Sequence, residues 1–312
     1  TSITKLNLGS SDVESFNFSG FDNLEELYID GAKNLTAEQF NSINKSKIKK
    51  LYIKEINTTD FIFSNYRQIT ELSLSNLPKL TADQFNSINK SNLHLLKLNS
   101  LFVDNFDISG FDNLKTLNLS HVTMDHFNGI NKRWITNLKL IGFSCPSFDF
   151  SDLINLEELK ITSIYGTMYG KLYGIEESMH YPGFTKEQLI SIPNKEKLTI
   201  IHLHRTNLED FNFSPFVNVV DWSFKLSLKL TTKLFNEIPN KNNIANLDLC
   251  YIDVSGFVFS ELENITSLNL KNTEDLTLEE LLSLFNEEEL TFSDYELIYS
   301  KFEETRPTNI QI

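Results

Sequence analysis

The sequence predicts an α/β solenoid: an arc of about twelve units, with a parallel sheet on the concave wall and a convex side of mixed short helices and extended segments. Two observations predict it. One apolar hexamer recurs twelve times at nearly constant spacing, and the stretches that join its copies are of two kinds, one with extended and one with helical periodicity.

The copies read ITKLNL, LEELYI, IKKLYI, ITELSL, LHLLKL, LKTLNL, ITNLKL, LEELKI, LTIIHL, VVDWSF, IANLDL and ITSLNL. They begin at Ile3, Leu24, Ile48, Ile69, Leu93, Leu114, Ile135, Leu156, Leu198, Val219, Ile244 and Ile265, mostly 21 residues apart, with some units of 24 or 25 and one of 42. Period-2 alternation inside each copy makes a short strand whose Leu or Ile faces a core while the residues between them face out. Stacked strands then satisfy one another's backbone groups rung by rung.

The first kind of return segment is FNFSGFDNL, echoed by FIFSNYRQI, FDISGFDNL, FDFSDLINL, FNFSPFVNV and FVFSELENI, and is expected to be an extended piece with inward aromatic rings. The second is LTAEQFNSINKS at 35–46 and LTADQFNSINKS at 80–91, echoed by FTKEQLISIPNK, LTTKLFNEIPNK and LTLEELLSLFNE. Thr36, Thr81 and Thr185 each precede a Gln by three residues and then apolar residues at helical spacing, the pattern of a capped short helix. The longer units carry these helices. An acidic run from about Asn286 breaks the hexamer pattern, so residues 290–312 are expected to form a polar C-terminal cap on a solenoid of residues 1–289.

The LxxLxL pattern resembles the leucine-rich-repeat family over residues from about 3 to 290. The mixed units depart both from ribonuclease-inhibitor-like arrays, with a helix in every unit, and from bacterial short-repeat types, so the resemblance names no subfamily. It implies a non-enzymatic protein-protein interaction module. Members of the family also serve as substrate receptors of ubiquitin ligases, as parts of other multidomain proteins, and as secreted or surface effectors of microbes. Extracellular members usually carry cysteine-rich end caps. Both ends here lack cysteine, and Cys145 and Cys250 fall four rungs apart, which implies a reducing, cytoplasmic setting; the alternative is a protein secreted or delivered to a host cell.

Composition narrows the function further. A formal charge of −14 argues against nucleic acid, no stretch is apolar enough to span a membrane, and no cofactor is implied. Glycan-acceptor triplets opening at Asn17, Asn34, Asn44, Asn57, Asn89, Asn118, Asn212 and Asn264 are about what chance gives in so Asn-rich a chain. The chain opens on Thr1 rather than Met, so a processed or trimmed start is expected.

The third, fifth and seventh positions of each unit should form the concave wall. Along the fifth-position column run Asn7, Tyr28, Tyr52, Ser73, Lys97, Asn118, Lys139, Lys160, His202, Ser223, Asp248 and Asn269, basic in the middle. Over the three columns the acids are Glu26, Asp30, Glu71, Glu158, Asp221 and Asp248, and the bases Lys5, Lys50, Lys54, Lys97, Lys139, Lys160, Lys225 and Lys271. That reverses the excess of 42 acids over 28 bases in the whole chain. Such a wall suits a protein partner with an acidic surface. A solvated wall in which each Lys offsets a neighbouring acid is the competing reading. A second contact region is the insertion at about 163–183, where Tyr165, Tyr169 and Tyr173 alternate with glycines in a composition typical of interface hot spots; a further repeat folded into the stack is the competing reading.

His202 and His204, two apart on one strand, complete the expected partner-binding set. With Asp221 in the next unit they could share a metal, but no third ligand stands near in register, so no metal site is expected. Cys250 lies two rungs from His202, too far for a nucleophile pair, and no phosphate loop, nucleophile elbow or HExxH segment occurs.

Overall fold

The computed structural model describes residues 2–101, 105–107, 109–122, 127, 129–142, 148–163, 184–271 and 273. The insertion from 164 to 183 and the expected cap, 290–312, lie outside them. Two compact units divide the chain, Thr1–Leu159 with Ser163–Asn194, and Lys160–Thr162 with Lys195–Ile312.

The first unit holds β1 (Lys5–Asn7), β2 (Glu26–Asp30), β3 (Lys50–Lys54), β4 (Glu71–Ser75), β5 (Leu95–Asn99), β6 (Thr116–Ser120) and β7 (Asn137–Gly142), each parallel to the next. β8 (Glu158–Ser163) lies at the division. The second unit holds β9 (Ile200–His204), β10 (Asp221–Ser223), β11 (Asn246–Asp248) and β12 (Ser267–Asn269), again parallel. Within each unit strand order is chain order. Every strand starts at the third position of one of the twelve hexamers, so the repeat alone fixed the register. First, fourth and sixth positions, such as Leu24, Leu27 and Ile29 or Ile135, Leu138 and Leu140, are buried together in a rung-by-rung core.

Nine of the strands end in the same corner; β7 and β8 do not, with Gly142 at φ 148° and Ser163 still in the strand. In these nine the eighth position is left-handed across very different residues: Gly31, but also Ser10, Glu55, Asn76, Ser100, His121, Arg205, Leu226 and Tyr251, with φ between 48° and 63°. Its N–H donates to the seventh-position carbonyl of the next repeat, as in Glu55 to Ser75 (3.1 Å) and Leu226 to Cys250 (3.0 Å). The ladder bond therefore holds a conformation that costs a side-chain-bearing residue on the order of 1 kcal/mol.

Among the described residues four short helices return the chain: α1 (Ala37–Ser42), α2 (Ala82–Asn86), α3 (Lys186–Ile190) and α4 (Thr232–Asn236). All fall in the units longer than 21 residues. Thr36, Thr81 and Thr185 cap the first three, with the Gln three residues on closing the capping box. The same Gln ties the helix back to the preceding repeat, since Gln84 Nε2 donates to Thr58 O (2.7 Å) and Phe61 O (3.0 Å). An Asn two residues later ties it forward: Asn86 Oδ1 accepts from Asp107 N–H (2.7 Å), as Asn41 does from Ile62. α4 keeps the Thr231 cap but has Leu234 in place of Gln and no capping box.

The extended segments bury ring pairs such as Phe61 with Phe63 and Phe257 with Phe259, while Ile62 and Val258 between them face out. The helix ring packs against the first ring of the following segment: Phe40 stacks on Phe61 (4.2 Å) and Phe235 on Phe257 (4.2 Å), while Phe85 meets Phe106 tilted (4.3 Å). Phe16 departs from the expected inward placement and is exposed, because it precedes every helix and has no such ring to cover it.

A lysine closes this packing. FNSINK at 40–45 and 85–90, FNGINK at 127–132 and FNEIPNK at 235–241 end in Lys45, Lys90, Lys132 and Lys241, all buried. Each ammonium lies over a phenyl ring, at 4.8 Å for Lys45 on Phe40 and 5.3 Å for Lys90 on Phe85. Lys45 and Lys241 also donate to the carbonyls that end α1 and α4. The following repeat adds a carboxylate beside three of them: Asp107 at 3.9 Å from Lys90, Asp149 and Asp152 acting on Lys132, and Glu261 at 2.7 Å from Lys241. Beside Lys45 the corresponding residues are Ile62 and Asn65. Burial pushes Lys45 down to about 8. Its unfolded value is near 10.4, so the unfolded chain binds more protons between about pH 8 and 10.4, and stability should rise with pH across that window. The difference in unfolding free energy between the protein and Lys45→Met, measured by urea denaturation, should change across that window and stay flat below it.

Candidate protein-binding face

On the first four strands the outward face is neutralised within itself. Lys5, Glu26, Lys50 and Glu71 stand in one column and pair in succession at 3.5, 3.5 and 3.4 Å. Lys54 pairs with Asp30 at 3.3 Å and with Glu55. The rings of Tyr28 and Tyr52 stack at 4.7 Å, and their hydroxyls donate to Glu26 and Glu71. Lys5 sits 4.7 Å from the centre of the Tyr28 ring. Burial and the hydrogen bond to Glu71 hold the Tyr52 phenol well above its usual value. Burial opposes ionisation of Glu26, yet Tyr28, Lys50 and Lys5 together keep it below its ordinary range. On these strands each Lys of the outward face stands at ion-pair distance from an adjacent acid.

The next three strands differ. Lys97, Asn118 and Lys139 share one column across β5, β6 and β7. Lys97 is half-buried, Lys139 is exposed, and neither ammonium has a hydrogen bond or ion pair among the described residues. Their outward neighbours, Leu95, Thr116, Asn137, Asn99, Ser120 and Ile141, carry no charge, and Glu158 on β8 accepts from Asn137. The sheet register thus brings together two of the expected lysines. Lys160 holds the fifth position of β8, half-buried and already engaged within the chain. Tyr165, Tyr169 and Tyr173 lie outside the described residues.

In the second unit His202 Nε2 meets Asp221 Oδ1 at 2.9 Å and His204 Nε2 meets Ser223 Oγ at 2.6 Å. The two imidazoles stack at 5.7 Å. Ser223 in turn donates to Asp248 at 3.1 Å. Alternation placed Ser223 on the open face, but it is buried, because side chains from β9 and β11 close over its hydroxyl. Both histidines are therefore half-buried and bonded within the sheet. Among the described residues no three His, Cys, Asp or Glu side chains gather as a metal site. No described helix is long and apolar enough to cross a membrane.

Sequence reasoning missed the buried lysines, although the recurrence of FNxINK marks them. It also summed the charges of the wall where their order along each column mattered.

No family model and no curated protein matches the chain. Eleven chains of solved structures do. One is the functional domain of InlJ from Listeria monocytogenes, described as including a cysteine ladder, 15% identical over 91% of this chain with a TM-score of 0.43. The match covers 62% of that chain's length, and the present chain has two cysteines in all. Twelve copies of LxxLxL, a strand starting at the same position of each, and a core layered copy upon copy give this chain the leucine-rich-repeat fold.

Proposed function

We propose that the chain is a non-enzymatic protein-binding module that engages an acidic partner surface through the outward face of β5–β7. One observation carries the reading. Lysines on β1–β4 are matched by acids at ion-pair distance, whereas Lys97 and Lys139 have none and stand two strands, roughly 10 Å, apart with Asn118 between them. Side chains of unmatched charge on an otherwise acidic molecule steer a complementary surface and fix its register. The Tyr-rich insertion extends the same reading to a second contact.

The test is affinity capture with the intact chain beside a Lys97→Glu/Lys139→Glu/Lys160→Glu variant, followed by kinetics on the partner so identified. Association with the variant should be at least about tenfold slower, and the difference should shrink as salt rises above about 0.3 M. Equal capture and equal kinetics would reject the face and leave the insertion as the candidate.

A further inference from the structure

We propose that the face of the first unit contains a slot, over Ser73 between Tyr52 and Lys97, that takes one aromatic side chain flanked by carboxylates. The inference rests on the reading above and names the chemistry of the partner segment.

From β2 to β5 the fifth-position residues are Tyr28, Tyr52, Ser73 and Lys97, each in register with the next. Tyr28 and Tyr52 stack at 4.7 Å with 10° between their planes. That spacing is the strand separation itself, so the sheet sets one ring per rung. Lys5, from β1, closes one end of the stack 4.7 Å from the centre of the Tyr28 ring. At the other end the next rung carries only Ser73, whose side chain stops at the hydroxyl, and the rung beyond carries Lys97.

Two rungs, about 9.6 Å, separate Tyr52 from Lys97, twice the stacking distance. One ring entering over Ser73 would lie against the face of Tyr52 opposite Tyr28 and offer its other face to Lys97, as Tyr28 does to Lys5. Among the described residues Lys97 has no ring contact or ion pair of its own. Leu95 beside it on β5 gives the slot an apolar edge, half-buried. Glu71, the acid beside the slot, is taken up by Lys50 and the Tyr52 hydroxyl. Carboxylates flanking the entering ring therefore meet Lys97, with Lys139 two strands further on, rather than an unmatched negative charge.

The experiment titrates the isotope-labelled full chain with three peptides, GDFDG, GDLDG and GKFKG, and follows backbone amide shifts. GDFDG should move the Ser73 and Lys97 amides saturably and bind about fivefold more tightly than GDLDG, with GKFKG inert. Ser73→Trp, which fills the slot from within, should weaken GDFDG by at least the same factor, and Ser73→Ala should leave it unchanged. Should Ser73→Trp melt below the parent protein, Tyr52→Leu carries the same test. Equal binding of GDFDG and GDLDG, both lost in Lys97→Glu, would overturn the slot and leave the acidic-partner reading standing. Failure of both acidic peptides to bind would overturn the two together.

Discussion

Phe85→Ala should lower the unfolding free energy by about 4 kcal/mol, the largest effect expected of a single substitution in the described repeats. Phe85 is fully buried on α2, its ring 4.3 Å from Phe106 and 6.4 Å from Phe111, with the Lys90 ammonium above it. Truncation removes the transfer energy of a ring and leaves a cavity bounded by two other rings that the backbone holds in place. It also strips Lys90 of its aromatic neighbour while leaving the ammonium buried. In a solenoid each repeat contacts only its neighbours, so the loss should remain local. Amide exchange should accelerate first in the repeats carrying α2, Phe106 and Phe111, and urea unfolding followed by circular dichroism should broaden. A uniform loss of protection along the chain would contradict this account.

Gln84→Ala should cost about 2–3 kcal/mol, a large effect for a polar side chain. Gln84 accepts from the Thr81 N–H and donates to Thr58 O and Phe61 O, so its removal opens the capping box and leaves part-buried carbonyls of the preceding repeat without a donor. Gln84→Leu gives a control already present in the chain, because α4 has Leu234 at this position and lacks the box. It restores apolar volume but no hydrogen bonds. If the bonds dominate, Ala and Leu variants should unfold at nearly the same urea concentration; a Leu variant near the parent protein would show that packing does.

The strands and the capped helices were legible in the sequence because their signals are short. A hexamer contains its own alternation, and Thr36 and Gln39 or Thr81 and Gln84 are three residues apart, so twelve strand starts and three capping boxes follow from local spacing. The lysines closing the convex packing were not, because Lys45 reads as an ordinary solvated helix end. Its burial depends on Tyr66, one repeat further on. The face was half legible. Register placed Lys97 and Lys139 in one column, but whether a lysine is available depends on how the charges beside it are engaged: Lys50 pairs with two glutamates, while Glu71, the acid nearest Lys97, is taken up by Lys50 and Tyr52. Ser223 misled for a similar reason: alternation points it outward, and longer side chains on the adjoining strands then cover it.

The left-handed corner at the eighth position bears on how such a chain can change over time. Glu55, Arg205, Leu226 and Tyr251 occupy it as readily as Gly31, so the bend is imposed by the ladder bond to the next copy and places almost no demand on the residue that makes it. A whole unit can then be duplicated, lost or exchanged without a matching turn sequence, since the incoming copy brings the carbonyl that shapes the corner before it. The same positions hold unspent stability: glycine at Leu226 or Tyr251 would relieve backbone strain, giving natural drift or an engineer room to alter the β5–β7 face before folding becomes limiting.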